Sequence, residues 1–280
     1  MKKKYLFVLL GCMLSLVSCN QDNKKDSSPK IDSSYSDPII IEDSRITALK
    51  EFREELLQLE ATVSKKTYKI SQVDYYGIEI ESSEEGTVNV YQDNFIVTEF
   101  SQSIADEEAV TGRREMGITG SKVNPLIYQI DYYSENDEAN KTQYFYNTPE
   151  NATYLLNVGF VQSYIFSIIN LTIDYLSTKG LRITLQTNFD MIDLSKDGVV
   201  TLKYRFTNTS IYGVKEEEVQ RDDVLTIQGG KIIKSNTTML YSLKDGINSQ
   251  YMEQEVNYVY DEIPAYNGEK LDPANYPTKQ

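Results

Sequence analysis

Apolar residues recur along this 280-residue chain in two rhythms. The first is helical. Ile46, Leu49, Phe52, Leu56, Leu59 and Val63 fall three or four apart, which predicts an amphipathic helix over 45–63. Ser44 suits its N-cap, and Arg53, Glu54 and Glu55 lie off the apolar stripe. From Tyr68 and Ile70 onward the period is two, the signature of half-buried strands. Val88 and Val90 lead through the turn Gln92-Asp93-Asn94 into Phe95-Ile96-Val97, which predicts a hairpin. Leu126, Tyr128, Ile130 and Tyr132 alternate with smaller or polar neighbours, and Thr142–Tyr146 predicts another short strand. Residues 101–120 are charged and contain Gly112, Gly117 and Gly120, so they read as loop.

The last third alternates most regularly. Leu181, Ile183, Leu185, Phe189 and Met191 run into a turn at Ser195-Lys196-Asp197-Gly198. Val200, Leu202, Tyr204 and Phe206 follow, so the pair predicts a long antiparallel hairpin with one buried and one wet face. Val224–Ile227, Gly229-Gly230 and Lys231–Leu243 predict a second hairpin. Met252, Val256, Tyr258 and Tyr260 suit a closing strand. Residues 263–280, with Pro264, Pro273 and Pro277, read as an irregular tail.

Between the two β-rich halves lies a segment of another kind. Thr148-Pro149 resembles a helix start, Gly180 a helix stop, and Asn151–Ile173 carries no charge. A buried helical segment broken near Gly159 fits best. A membrane span is long enough but is interrupted by Asn157, Gln162, Ser163 and Asn170, and strands remain an alternative because Val, Ile and Tyr are abundant. The resulting order of elements is α+β, and no composition break divides 45–262.

Composition narrows the chemistry. With no His, a Ser-His-Asp or Cys-His centre and histidine metal ligation are excluded. Only Cys12 and Cys19 are present, so the body of the chain has no thiol, disulfide or thiolate metal site. Asp193-Leu194-Ser195-Lys196-Asp197-Gly198 imitates half of a calcium loop, but Tyr204 stands where the bidentate Glu is required. Gly112, Gly117 and Gly120 miss the phosphate-loop spacing. Glu216–Glu218 with Asp222 and Asp223 could in principle hydrolyse a glycosidic bond, yet charge runs read first as solvated turns and edges. The 22 Tyr and absence of Trp fit an AT-rich codon bias, with a tyrosine-lined binding surface as the functional alternative.

The N-terminus addresses compartment. Lys2-Lys3-Lys4 precedes a short apolar stretch, Tyr5–Val17, in the manner of a secretory signal peptide. It ends in Leu16-Val17-Ser18-Cys19, which resembles the lipobox of bacterial lipoproteins. The resemblance implies cleavage between Ser18 and Cys19 and a diacylglyceryl group on the Cys19 sulfur, with no other cofactor. The chain then divides into a signal peptide (1–18), a polar tether (19–44), a β-rich domain (45–262) and the tail (263–280). Removing the leader takes away three lysines and no acid, making the formal charge more negative than −14. That charge argues against nucleic-acid partners and against adhesion to anionic lipid, and leaves the acyl chains to hold the protein on the extracytoplasmic side of a membrane.

The order of helix, strands, apolar helices and long strands behind a lipobox is similar to the lipoprotein-carrier fold of periplasmic lipoprotein chaperones and mycobacterial lipid-binding lipoproteins. The resemblance implies a strongly curved antiparallel sheet, an unclosed barrel, with the N-terminal helix and the central apolar helices packed on its concave face. Tyr154, Leu155, Phe160, Tyr164 and Phe166 would then line a cavity for an acyl chain or other hydrophobic ligand. The expected function is a membrane-anchored, non-catalytic binding lipoprotein. A scaffolding lipoprotein with protein partners and no small ligand is the alternative, and a carboxylate-dependent envelope hydrolase comes third.

Overall fold

The computed structural model describes residues 44–105, 107–120, 125–133, 138–146, 182–185, 191–209, 216–243 and 248–270. Cys19, Ser18 and the central segment with Tyr154, Leu155, Phe160, Tyr164 and Phe166 lie outside them.

One helix, α1 (Ser44–Glu60), opens the described chain. Its predicted stripe is the face it buries: Leu49, Phe52 and Leu56 are each less than 5% exposed, and Ala48 joins them. The helix stops short of Val63, which is buried in the connection to the first strand. Among the described residues no helix is long and apolar enough to cross a membrane.

Eleven strands follow. The first six are β1 (Lys65–Tyr76), β2 (Glu79–Tyr91), β3 (Phe95–Ile104), β4 (Val110–Gly120), β5 (Pro125–Tyr133) and β6 (Glu138–Tyr146). The rest are β7 (Arg182–Leu185), β8 (Gly198–Thr209), β9 (Glu216–Gln228), β10 (Lys231–Leu243) and β11 (Asn248–Val259). They form a single antiparallel sheet in the order β6-β5-β4-β3-β2-β1-β11-β10-β9-β8-β7. Each half of the chain is a meander, and β1 paired with β11 joins the halves over twelve residues. Ser64 reinforces that seam. Its amide and hydroxyl donate to Val259 O at 2.9 and 3.1 Å, and its carbonyl accepts from the Val90 amide at 2.9 Å.

This architecture corrects the expected one. The described chain is one open, mostly β sheet, with a single helix and no set of helices packed on a concave face; the α+β unclosed barrel is not the fold. The loop expected over 101–120 is also replaced by structure, because β3 runs on to Ile104 and β4 occupies Val110–Gly120.

The turns follow local chemistry. Gly229 and Gly230, at φ 60° and 68°, make the β9–β10 turn that matches strand twist. Asp93 and Asn94 take up left-handed backbone at the β2–β3 corner, a conformation that short polar side chains tolerate. At the start of β8 the calcium-like segment is a turn: Asp193 accepts from the Ser195 amide at 3.1 Å and pairs with Lys196 at 2.8 Å. These contacts, led by the Lys196 hydrogen bond, pull the Asp193 carboxyl down to about 2.

Candidate functional site

Strand alternation assigns each residue to one of two faces. On the buried face Tyr68, Ile70, Val88, Ile96, Met116, Leu202, Leu225 and Val256 make apolar core. The same face carries charge. Arg114 donates to Asp131 at 2.7 Å, and Asp131 also accepts from Gln129 at 2.9 Å. Burial would lower the Arg114 pKa, but Asp131 and Glu84 outweigh it and raise the value, so the guanidinium stays charged. Arg221 grips Asp223 through hydrogen bonds of 2.9–3.1 Å, and Thr237 donates to the same carboxylate at 2.5 Å. Asp74 accepts from Gln72 and Gln250, both at 2.8 Å. Tyr68 donates to Glu84 at 2.6 Å. Each carboxylate in these contacts has a donor, as a buried charge requires.

Asp223 is therefore not part of a solvated acidic turn. It is fully buried in the middle of β9, whereas Asp222 is half-buried on the opposite face and Glu218 is exposed. The run Glu216–Asp223 is strand, and the adjacent carboxylates of Asp222 and Asp223 lie on opposite faces instead of converging. Among the described residues no group of three or more metal-ligating side chains occurs.

The outer face holds a groove of about 640 Å³. Its walls are two rows of cross-strand neighbours. Asn257, Thr67, Thr87, Glu99, Arg113 and Tyr132 are successive partners on β11, β1, β2, β3, β4 and β5. Glu255, Lys69, Glu85, Ser101 and Thr111 form the second row, two residues along each strand. Between them the registered line reads Tyr68, Gly86, Phe100, Gly112, Tyr133. A Cβ on Gly86 would stand 2.8 Å from the Tyr68 hydroxyl, and one on Gly112 would stand 2.5 Å from the Phe100 ring. The two glycines make room on the buried face for aromatic side chains that lie flat against the strand beside them. The Phe100 and Tyr133 rings continue the line edge to face, 5.7 Å apart.

The charges in the groove are held in place. Lys69 meets Glu85 at 3.0 Å, and Lys234 meets Glu255 at 2.7 Å. Hydrogen bonds from Lys234 and then Asn257 keep the Glu255 carboxyl below its ordinary value. Arg113 donates to Glu115 at 2.5 Å and to the Tyr266 hydroxyl at 2.6 Å. Those two bonds raise its pKa against the lowering effect of burial. Tyr266 belongs to the tail, whose described part (263–270) has no regular structure and straps across the β2–β3 corner. Its ring sits 4.9 Å from Tyr91 and 4.6 Å from Phe95, and Pro264 O accepts from the Gln92 amide at 2.9 Å.

None of the predicted cavity-lining residues falls among those described. Of the groove residues, Tyr68 and Tyr132 were named from sequence as alternating strand positions and Gly112 as a glycine that misses the phosphate-loop spacing, and none was assigned to a ligand site. Their only signal was alternation: Thr67 and Lys69 flank the predicted core residues Tyr68 and Ile70. The alignment of these residues across six strands, one of them the distant β11, appears only with the register.

No protein family and no curated protein matches the chain. Among solved structures, the ywiB protein from Bacillus subtilis aligns over 71% of this chain and 94% of its own, at 11% identity and a TM-score of 0.19. The Pseudomonas aeruginosa MucA/MucB complex aligns over 75% of this chain and 94% of the matched chain, at 12% identity and a TM-score of 0.16. A second structure of MucB, in complex with MucA(peri), aligns over 75% and 93% at 10% identity, again with a TM-score of 0.16. These likenesses are weak.

Proposed function

We propose that this protein is an exported bacterial lipoprotein, anchored by a diacylglyceryl thioether at Cys19, whose β domain is a non-catalytic module that binds a polar ligand in the outer groove. The observation that carries the binding half is the groove's lining. Its walls offer hydroxyls, an amide and ion-paired side chains on a rigid sheet, the composition of a site that orients a ligand by hydrogen bonds. An acyl-chain cargo rests on Tyr154, Leu155, Phe160, Tyr164 and Phe166, which lie outside the described residues; the described groove favours polar ligands over it. The anchoring half rests on Leu16-Val17-Ser18-Cys19 behind a basic, apolar leader.

Two measurements test the halves separately. Cells fed labelled fatty acid are expected to label the wild-type protein and not Cys19→Ala, and the variant should leave the membrane fraction. The lipidated chain would have no free thiol, so a cysteine placed at Thr87 can carry an environment-sensitive fluorophore. Its emission should change on adding solubilised envelope material, while the same dye at Thr226, on distant β9, should not respond. A dye at Thr87 that stays silent with every envelope fraction would count against the groove.

A further inference from the structure

Resting on that reading of the groove, we infer that its ligand is a linear, uncharged oligosaccharide lying across the strands. The first reason is shape. Strands in a sheet lie about 4.8 Å apart, so the row from Asn257 on β11 to Tyr132 on β5 spans about 24 Å. The two rows are two residues apart along each strand, about 7 Å. The track is one ring wide and several rings long, and its floor is the backbone of the registered line Tyr68, Gly86, Phe100, Gly112 and Tyr133, whose side-chain positions face the buried side.

The second reason is chemistry. Extended peptides bind sheets by pairing with an edge, and this track crosses strands whose backbone groups are already spent on neighbours to both sides. An acyl chain finds Thr, Ser, Glu, Lys and Arg where it needs apolar walls. A polyanion would meet Glu85, Glu99 and Glu255 against Lys69 and Arg113, in a protein of net charge −14. A neutral sugar fits what remains. Each sugar hydroxyl both donates and accepts, so it can use the carboxylate of Glu99 and the hydroxyls of Thr67, Thr87 and Ser101 alike. Tyr132 sets an aromatic ring at one end, the part of a sugar site that packs against the C–H face of a pyranose. The Arg113 side chain next to it is fixed by Glu115 and Tyr266, so its position is set before a ligand arrives.

The test uses the full chain in detergent micelles, titrated calorimetrically with hexasaccharides of β-1,4-linked N-acetylglucosamine, β-1,4-glucose and α-1,4-glucose, with the matching disaccharides, and with spermine as a non-sugar polar probe. At least one hexamer should bind at least tenfold more tightly than its dimer. Glu99→Gln and Tyr132→Ala should each weaken it by tenfold or more. Thr87→Val, which keeps the strand's shape and removes one hydroxyl, guards against an unfolded Tyr132→Ala and should weaken binding severalfold with an unchanged circular dichroism spectrum. If spermine binds, is lost in Glu99→Gln, and no hexamer binds, the sugar is wrong and the groove stands. If hexamers bind equally well to all three variants, or neither sugars nor spermine bind, the sugar assignment falls, and in the second case the groove reading falls with it.

Discussion

At the scale of single residues, this sheet keeps charge in its core and pairs every carboxylate described there. The Arg221–Asp223 pair shows what that implies. Both side chains are almost wholly excluded from solvent, so neither can exchange its partner for water. Arg221→Met should destabilise the protein by about 3–5 kcal/mol, because it leaves the Asp223 carboxylate buried without its guanidinium partner, while Thr237 still donates to it. The double variant Arg221→Met/Asp223→Leu should recover most of that loss, since removing both charges also removes their desolvation cost; urea denaturation of the three proteins measures the difference. Gly112 makes the opposite kind of demand. Gly112→Ala puts a methyl 2.5 Å from the Phe100 ring and 2.9 Å from Tyr132 O, and should cost about 1–3 kcal/mol in the same assay. Neither effect is legible in the sequence. Asp223 sits in a run of acids that reads as solvated surface, and Gly112 reads as a break, because both readings depend on which face and which neighbour the residue meets.

At the scale of elements, periodicity was a sound guide wherever a strand had one wet face. The β2–β3 and β9–β10 hairpins lie where alternation and turn chemistry put them. So does the pairing of 182–185 with β8. It failed at β4, where Arg114 and Glu115 are both buried on opposite faces, so the polar pattern no longer reports exposure. Part of the reason is the tail. Tyr266 brings its ring and hydroxyl over the outer face at Phe95 and Arg113, and a strand with cover on both sides loses the binary signature. Tyr266→Ala should expose Phe95, which is only 1% accessible, and cost about 1–2 kcal/mol from two lost aromatic contacts. Proteolysis should then cut sooner between 261 and 270, which mass spectrometry of limited digests reads directly.

At the scale of the whole molecule, stability should fall at high pH. Burial, with the nearby Asp131 charge, pushes the Tyr133 hydroxyl up to about 12, and burial pushes Tyr204 in the same direction. A phenol raised in the folded state favours folding fully below its unfolded value near 10, and that contribution disappears as pH rises through the folded value. Tyr133 alone should therefore forfeit up to about 2–3 kcal/mol between pH 10 and pH 12. Tyr133→Phe should flatten that part of the melting-temperature profile, provided the protein remains folded at pH 9. The β1–β11 seam adds a kinetic expectation: it joins positions nearly two hundred residues apart, and such long closures slow folding.

The sequence by itself determined the element types over most of the described chain, the turn positions, and the exclusion of histidine chemistry and of thiol chemistry in the body of the chain, because each depends on local spacing or on residue identity alone. Tertiary structure decided the rest. It replaced the curved barrel with plugging helices by one open antiparallel sheet, since strand order is set by which edges pair and β1 takes a partner from the far end of the chain. It also made the groove, because Asn257, Thr67, Thr87, Glu99, Arg113 and Tyr132 become neighbours only through register. A one-residue slip in any of those ladders would turn the slipped strand's side chains to the opposite face and dissolve the site.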